Sequence, residues 1–159
     1  MDDAVIRKQL EKVVLGEGAH VPIERTLAGL PAELRGRVPQ GLAHSAWQLL
    51  EHIRIAQEDL IQYALDADWV SPDWPGGYWP ADPEPPSEHA WEKSVEDLRT
   101  GLGRALELVR DPGRDLTAPL PHARQHNLFR QLVLLADHNA YHGAQVVDVR
   151  RALGAWPPR

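Results

Sequence analysis

The sequence predicts an all-α protein built as a four-helix bundle. Four segments carry apolar residues at helical spacings of three and four, and glycine or proline lies at their ends. No segment shows a convincing alternation of apolar and polar residues, the pattern of a half-buried strand. With 159 residues and 43% hydrophobic content, the chain is long enough for one core and short for two. We expect a single domain over residues 1–159, in which each helix buries one stripe.

The first predicted helix covers about residues 2–15, where a stripe of valine and leucine lies among charged side chains. Glycines follow it directly and end it. The next stretch, residues 16–44, mixes glycine, proline and short apolar groups. We interpret it as a structured connection with room for one brief helix near Ile23 to Leu30.

The second helix is predicted from a capping box. Ser45 stands where an N-cap is needed, and Gln48 follows three residues later, the spacing at which each side chain can bond the other residue's backbone N–H. No glycine or proline interrupts the chain from Ser45 to about Ala67. We therefore expect a helix over that whole segment.

A long loop is predicted between the second and third helices, over residues 68–86. The segment contains six prolines and two adjacent glycines, so it cannot be a helix, and it is rich in aromatic residues between Trp69 and Trp79. Dense tryptophan disfavours disorder, and we expect an ordered loop packed over the bundle. Two roles remain open for it: the roof of a substrate pocket, or a hydrophobic cover or dimer surface.

The third helix is predicted to begin at Ser87 and to end at Asp111, before Pro112, although Gly101 and Gly103 weaken it. The fourth is predicted from about Arg124 to Leu153, where a glycine and two prolines follow. Exposed stripes on the first and third helices would suit a homodimer.

Composition excludes several classes of function. The net charge of -6, with acidic and basic residues interspersed, argues against a nucleic-acid-binding face. Only the end that holds Arg150, Arg151 and Arg159 is locally basic. No apolar run approaches the roughly 20 residues that cross a bilayer, and the start lacks the pattern of an export signal, so we expect a cytoplasmic protein. Without cysteine, any metal must be bound by nitrogen and oxygen.

Two histidines of the fourth helix form a candidate metal-binding pair. His138 and His142 lie one turn apart and about 40° apart around the helix, so both can contact one ion. A buried imidazole must satisfy both ring nitrogens, and two on one apolar stripe favour a shared partner such as a metal. The alternative is two separately satisfied core histidines. The stripe that they share contains Leu128, Leu135, Val146, Val149 and Leu153.

The second helix supplies a candidate third ligand, His52. Three neutral imidazoles leave one or more coordination positions for water or substrate, the arrangement of catalytic zinc. We expect zinc first, while nickel, iron(II) and manganese also accept such ligands. The apolar stripe on which His52 falls contains Leu49, Ile53, Ala56, Leu60 and Tyr63.

Several polar groups are candidates for a supporting role around this site. Gln145 and Gln131 share the face of His138, and either could hydrogen-bond near the ion or across the core instead. Asp59, two turns beyond His52, could accept a hydrogen bond from a ligand but lies about 10 Å along the axis, too far to share the ion. The hydroxyls of Tyr63 and Tyr141 could reach a bound ligand or pack at the rim.

The sequence around these histidines resembles the DinB-like family of metal-binding four-helix bundles. The resemblance is carried by SAWQLLEHIRIAQ around His52 and by ADHNAYHGAQVVDVRRALGAWPP around His138 and His142, and it spans nearly the whole chain. The family's pattern of one histidine on the second helix and an HxxxH pair on the last maps onto these three positions. Asn139 stands where the zinc proteases with HExxH have their catalytic glutamate, so that mechanism lacks its base here.

The resemblance implies a metal-dependent enzyme that acts on a small molecule. Characterised relatives include transferases that use low-molecular-weight thiols such as bacillithiol or mycothiol and an isomerase with a thiol cofactor, while many members have no known reaction. A thiol S-transferase and a hydrolase are both compatible with the site, since a fold does not determine a reaction. Two rivals stay open: a non-catalytic, stress-related ligand-binding protein with a structural metal, and a helical interaction module without metal.

Overall fold

The computed structural model describes residues 2–158 and has the predicted all-α architecture. Four long α-helices form the bundle, and one short α-helix and a 3-10 turn (Ala32–Leu34) lie in the connection after the first of them. A second 3-10 turn (Gly76–Tyr78) lies in the long loop. The helices are α1 (Asp3–Val14), α2 (Ile23–Leu27), α3 (Ala46–Leu65), α4 (Glu88–Arg110) and α5 (Leu128–Ala152).

The bundle is arranged so that α3 and α5 face each other along one side. Helices α1 and α3 each pack against both α4 and α5, which gives the order α1, α4, α3, α5 around the axis. The apolar stripes predicted for the second and fourth helices lie inside, with Leu49, Ile53, Leu135 and Val146 almost fully buried. The α3–α5 interface is therefore where histidines on these stripes can meet.

Helix α3 begins with the predicted capping box. The Ser45 hydroxyl oxygen accepts from the Gln48 backbone N–H, and Gln48 Oε1 accepts from the Ser45 backbone N–H, both at 3.1 Å. Ser45 Oγ also donates to the Pro83 carbonyl, which ties the far end of the long loop to the start of α3. The helix ends at Leu65, two residues before the predicted end.

The start of the fourth long helix differs from the prediction. Residues that we expected to open that helix form instead a small antiparallel hairpin of β1 (Pro119–Leu120) and β2 (Ala123–Asn127). Helix α5 begins only at Leu128, because the Asn127 side chain caps it by accepting from the Arg130 backbone N–H at 2.8 Å. Two prolines in this stretch favour an extended chain. The prediction gave more weight to the helical periodicity of the residues that follow.

Helix α4 runs unbroken through both of its glycines. Gly101 is buried where the helix meets α3, and a Cβ there would collide with Nε2 of Gln57. Gln57 Nε2 donates to the Leu98 carbonyl at 2.9 Å, and its Oε1 accepts from Asn139 Nδ2 at 3.2 Å. Gly101 thus makes room for a buried amide that links α3, α4 and α5. Gly103 has no such neighbour.

The basic end predicted from the sequence is not a uniform surface patch. Arg150 is fully buried, and its guanidinium donates to the carbonyls of Thr26, Ala28 and Ala155 at 2.6, 2.7 and 3.0 Å. It therefore fastens the connection around α2 to α5, and burial lowers its pKa from the ordinary arginine value. Arg159 lies outside the described residues. Within residues 2–158, no helix has the length and apolar character needed to cross a membrane.

Candidate metal centre

The three histidines singled out in the sequence converge at the α3–α5 interface. Nε2 of His52 lies 3.0 Å from Nε2 of His138 and 3.1 Å from Nε2 of His142. The three side chains form a group whose ligand atoms all lie within 4.8 Å of one another. Because α3 and α5 pack side by side, one residue of α3 faces two residues one turn apart on α5. The arrangement could hold one metal ion.

Hydrogen bonds on the outer ring nitrogens orient two of the imidazoles. His52 Nδ1 donates to the backbone carbonyl of Tyr78 at 3.0 Å, and His142 Nδ1 donates to Gln145 Oε1 at 2.7 Å. A neutral imidazole whose Nδ1 carries the hydrogen has its lone pair on Nε2. Both Nε2 lone pairs therefore point at the common centre, which is how metal-binding histidines are usually arranged.

Without a cation, this arrangement is poorly satisfied. When Nδ1 carries the hydrogen in both rings, the Nε2 lone pairs of His52 and His142 face each other at 3.1 Å. A hydrogen on His138 Nε2 can serve only one of them. Imidazole nitrogens at about 2.0–2.1 Å from a tetrahedral zinc ion lie roughly 3.3 Å apart, close to the two separations measured from His52 Nε2. The donor set and its spacing therefore fit a divalent ion such as zinc.

The protonation states also suit metal binding. Burial lowers the pKa of His52 to about 4, outweighing the Tyr78 carbonyl, which raises it. Burial also lowers the pKa of His138 to about 3, with a further contribution from the neighbouring histidines. The pKa of His142 is lowered for the same first reason. All three are neutral at pH 7, the form in which imidazole binds metal.

The long loop, residues 68–86, forms part of this centre. Besides the Tyr78 carbonyl, it contributes Trp79, whose ring stacks on His52 with centroids 3.7 Å apart and planes at 5°. His44 stacks on the same indole at 4.0 Å. Two imidazoles this close to one indole centroid must lie on opposite faces of it. His52 is thus held on one face of a three-ring stack and by a hydrogen bond to the loop backbone.

Asp59 fastens the loop to α3. One carboxylate oxygen accepts from Trp69 Nε1 at 2.8 Å and the other from the Tyr78 hydroxyl at 2.7 Å. Burial raises the pKa of Tyr78 to about 12, and the hydrogen bond to Asp59 adds to the rise, so the phenol keeps its hydrogen and donates. Asp59 therefore does not contact the histidines; it acts on His52 through Tyr78.

A cavity of about 530 Å³ opens from the three histidines toward solvent. Its walls are mostly apolar, and the loop forms one side of it with Trp74 and Tyr78. The size is that of a small-molecule site. The residues that line it are His52, Ala56, Asp59, Leu60, Trp74, Tyr78, Leu134, Asp137, His138, Tyr141 and His142.

The other candidate residues fall in different places. Gln145 contacts His142, whereas Gln131 is buried beside α5's own Arg130, with Oε1 at 3.4 Å from Nη1, and does not line the cavity. The Tyr63 hydroxyl pairs with His126 Nδ1 at 2.8 Å, away from the cavity. Tyr141 stands exposed at the rim.

Sequence reasoning missed the contributions of Tyr78 and Trp79 to the centre. A backbone carbonyl has no sequence signature, and the only signal was the density of aromatic residues in a loop too rich in proline to be helical. It also missed the stacking of His44 on Trp79. The third imidazole, His138, has no partner for Nδ1 within residues 2–158, so it is oriented by packing and by the contact of its Nε2 with His52 Nε2.

Comparison with known families gives one match: a family model described as the DinB superfamily matches residues 22–146. The matched region includes α2 to α5 except the last turns of α5, and therefore all three histidines. No curated protein matches the chain, and no solved structure matches it.

Proposed function

The chain belongs to the DinB superfamily, and we propose that it is a metal-dependent enzyme whose His52, His138 and His142 hold one divalent ion at the end of a small-molecule cavity. Zinc is the ion that we propose first, with nickel, iron(II) and manganese as alternatives, because neutral imidazoles suit all four.

One observation carries this proposal: the Nε2 atoms of His138 and His142 lie within 3.1 Å of His52 Nε2, while Nδ1 of His52 and of His142 each contact an acceptor oxygen outside the group. Two lone pairs 3.1 Å apart in a buried site repel each other, and a shared cation converts that repulsion into two bonds. Separately satisfied core histidines, the alternative considered from the sequence, would each have donor and acceptor partners of their own.

The shape of the site supports catalysis over a purely structural metal. Structural zinc sites are closed by four protein ligands, whereas catalytic sites keep an open position. Here three imidazoles supply one side, and the cavity opens on the other. This favours an enzyme over the alternative of a stress-related binding protein whose metal only stabilises the fold.

The residues around the cavity have distinct tasks. When bound, a divalent ion supplies a Lewis acid that polarises a substrate atom and lowers the pKa of a thiol or water. Gln145 and the Tyr78 carbonyl hold the imidazoles in the required tautomer. Leu60 and Leu134 provide apolar walls that limit the access of water and strengthen electrostatic interactions inside.

Among the reactions considered, we favour thiol S-transfer with a low-molecular-weight thiol as co-substrate. Hydrolysis benefits from a general base within reach of the attacking water. Both oxygens of Asp59 are engaged by Trp69 and Tyr78, and Asp137 lies exposed at the mouth of the cavity. A thiol that coordinates a divalent ion is deprotonated outright and needs no such base, whereas the pKa of coordinated water falls only to about 7.

The metal content of untagged protein tests the proposal. We expect about one ion per chain by mass spectrometry, and we expect His138→Ala, His52→Ala and His142→Ala each to lose it. His89→Ala is the matched control, because His89 is an exposed histidine in the first turn of α4. Circular dichroism of every variant separates loss of the ion from loss of the fold.

Either result is informative. Metal in the parent and the control but not in the triad variants supports the centre and justifies a screen of thiols with electrophilic small molecules, run beside a panel of ester and amide substrates. Folded parent protein that contains no ion and refuses added zinc or nickel would contradict the proposal. An ion whose removal unfolds the chain, with no exchangeable ligand position, would favour the structural role.

A further inference from the structure

The cavity above the three histidines has an uneven distribution of charge. Two carboxylates line it, Asp59 on α3 and Asp137 on α5, while no lysine or arginine does so in the described part of the chain. A cavity that received an anionic group would need an opposite charge or donors at that place. Apart from an ion held by the histidines, the lining offers the reverse, two carboxylates and no basic side chain among the described residues.

The two carboxylates differ in what they can do. Asp59 is half-buried and fixed by its two hydrogen bonds to the loop, so it contributes a steady negative field from one wall. Asp137 is exposed and directly precedes His138 on α5, at the cavity's opening. Its oxygens can therefore meet a charged group of a molecule whose other end lies at the histidines.

Two exposed aromatic rings stand at the same opening. Trp74 is 79% exposed and Tyr141 is 64% exposed, large fractions for such side chains. Each is held by an edge contact with another ring, Trp74 with Tyr78 at 5.6 Å and Tyr141 with His142 at 4.9 Å. Aromatic faces attract organic cations, and they do so best where carboxylates add to the field.

We propose that the substrate taken by this cavity is an organic cation, a protonated or quaternary amine on an apolar body, and that Asp137 with the aromatic rim selects it against anions. The proposal rests on the proposed function only in taking this cavity as the substrate site. The apolar walls take the body, the opening takes the positive group, and the reacting atom faces the histidines.

Three probes of similar size test the selection: benzyltrimethylammonium, benzyl alcohol and benzenesulfonate. None has a strong metal-binding group, so coordination does not decide the result. Dissociation constants for the protein as purified are measured by ligand-observed NMR, with metal content determined on the same sample. We expect the ammonium to bind about tenfold or more tighter than the sulfonate, with the alcohol between them.

Asp137→Asn is the decisive variant, since it keeps the size of the side chain and removes the charge. It should narrow the ratio between ammonium and sulfonate affinities by about three- to tenfold. Asp148→Asn is the matched control: it removes one exposed carboxylate three turns along the same helix, does not line this cavity, and should leave the ratio unchanged.

Two kinds of result would overturn the inference. One is an absolute preference for the sulfonate, or no binding of any probe. The other is a ratio that Asp137→Asn leaves unchanged. Because the readout is binding of probes that do not coordinate, it is separable from the metal test: metal without charge selection refutes this inference alone, and charge selection without metal refutes only the proposed enzyme.

Discussion

Replacing Asp59 by asparagine should weaken metal binding although Asp59 touches none of the three histidines. The substitution keeps the size of the side chain and removes its charge. The asparagine oxygen can accept from Trp69 Nε1, which only donates, and its amide N–H can donate to the Tyr78 hydroxyl oxygen. Both hydrogen bonds between the loop and α3 then lack charge assistance.

The magnitude follows from those two bonds. Hydrogen bonds to charged groups contribute about 1.5–3 kcal/mol each, and neutral ones about 1 kcal/mol. The loss is therefore about 0.5–2 kcal/mol per bond, and because Asp59 is only half-buried we take about 1 kcal/mol for each, or about 2 kcal/mol in the free energy of loop docking. That loss shifts the loop's opening equilibrium by about thirtyfold. Because Trp79 still stacks on His52, we expect only part of this shift to reach the metal site. The zinc affinity should fall by about tenfold.

Competition with a colorimetric chelator gives the zinc affinity, and hydrogen exchange over residues 68–86 reports on loop docking. Tyr78→Phe removes one of the two bonds while keeping the backbone carbonyl that His52 uses, and it should give a smaller effect of a few-fold. Asp73→Asn is the control, an exposed aspartate of the same loop. Faster exchange of the loop in Asp59→Asn with unchanged zinc affinity would refute the coupling between loop and ligand.

Two further predictions concern stability. Gly101→Ala should lower the free energy of unfolding by about 1–3 kcal/mol, because its methyl group displaces Gln57. Gly103→Ala should raise the free energy of unfolding by about 0.5–1 kcal/mol, because alanine favours the helix and meets no neighbour there. Urea denaturation compares the two variants, and equal effects would contradict the packing argument. Metal-free protein should lose stability as the pH falls from about 6.5 toward 4. Burial lowers the pKa of His52 to about 4 and the pKa of His138 to about 3, so the unfolded chain binds more protons than the folded chain in that window. A flat stability curve from pH 7 to 4 would contradict it.

The parts of the fold that follow from local chemistry could be predicted. The capping box of Ser45 and Gln48 is complete within four residues, and the apolar stripes of α3 and α5 repeat over several turns. These stripes place the histidines of α3 and α5 inward, and they can be recognised from each helix alone. The all-α architecture confirms the predicted fold class, and the family match over residues 22–146 confirms the predicted family.

The parts that depend on distant contacts could not be predicted. The burial of Arg150 could not be predicted because its partners, the carbonyls of Thr26 and Ala28, lie more than 120 residues away in sequence. Strand β2 forms because it pairs with β1. This pairing competes with the helical periodicity of the segment that follows, which α5 adopts. Likewise, the Tyr78 carbonyl becomes a partner of His52 only once the loop has folded back over α3.

The composition of the loop explains how it can orient the imidazole of His52. A backbone carbonyl fixes His52 only if the chain that carries it is ordered, and ordering a long loop costs conformational entropy for every residue. Six prolines between residues 68 and 86 reduce the freedom of the unfolded segment, and Trp69, Tyr78 and Trp79 anchor it to α3 and to the imidazole. The same residues that prevent a helix here therefore make the loop rigid enough to hold one side of the site, and shortening or loosening it should damage the centre as much as changing a residue of the bundle.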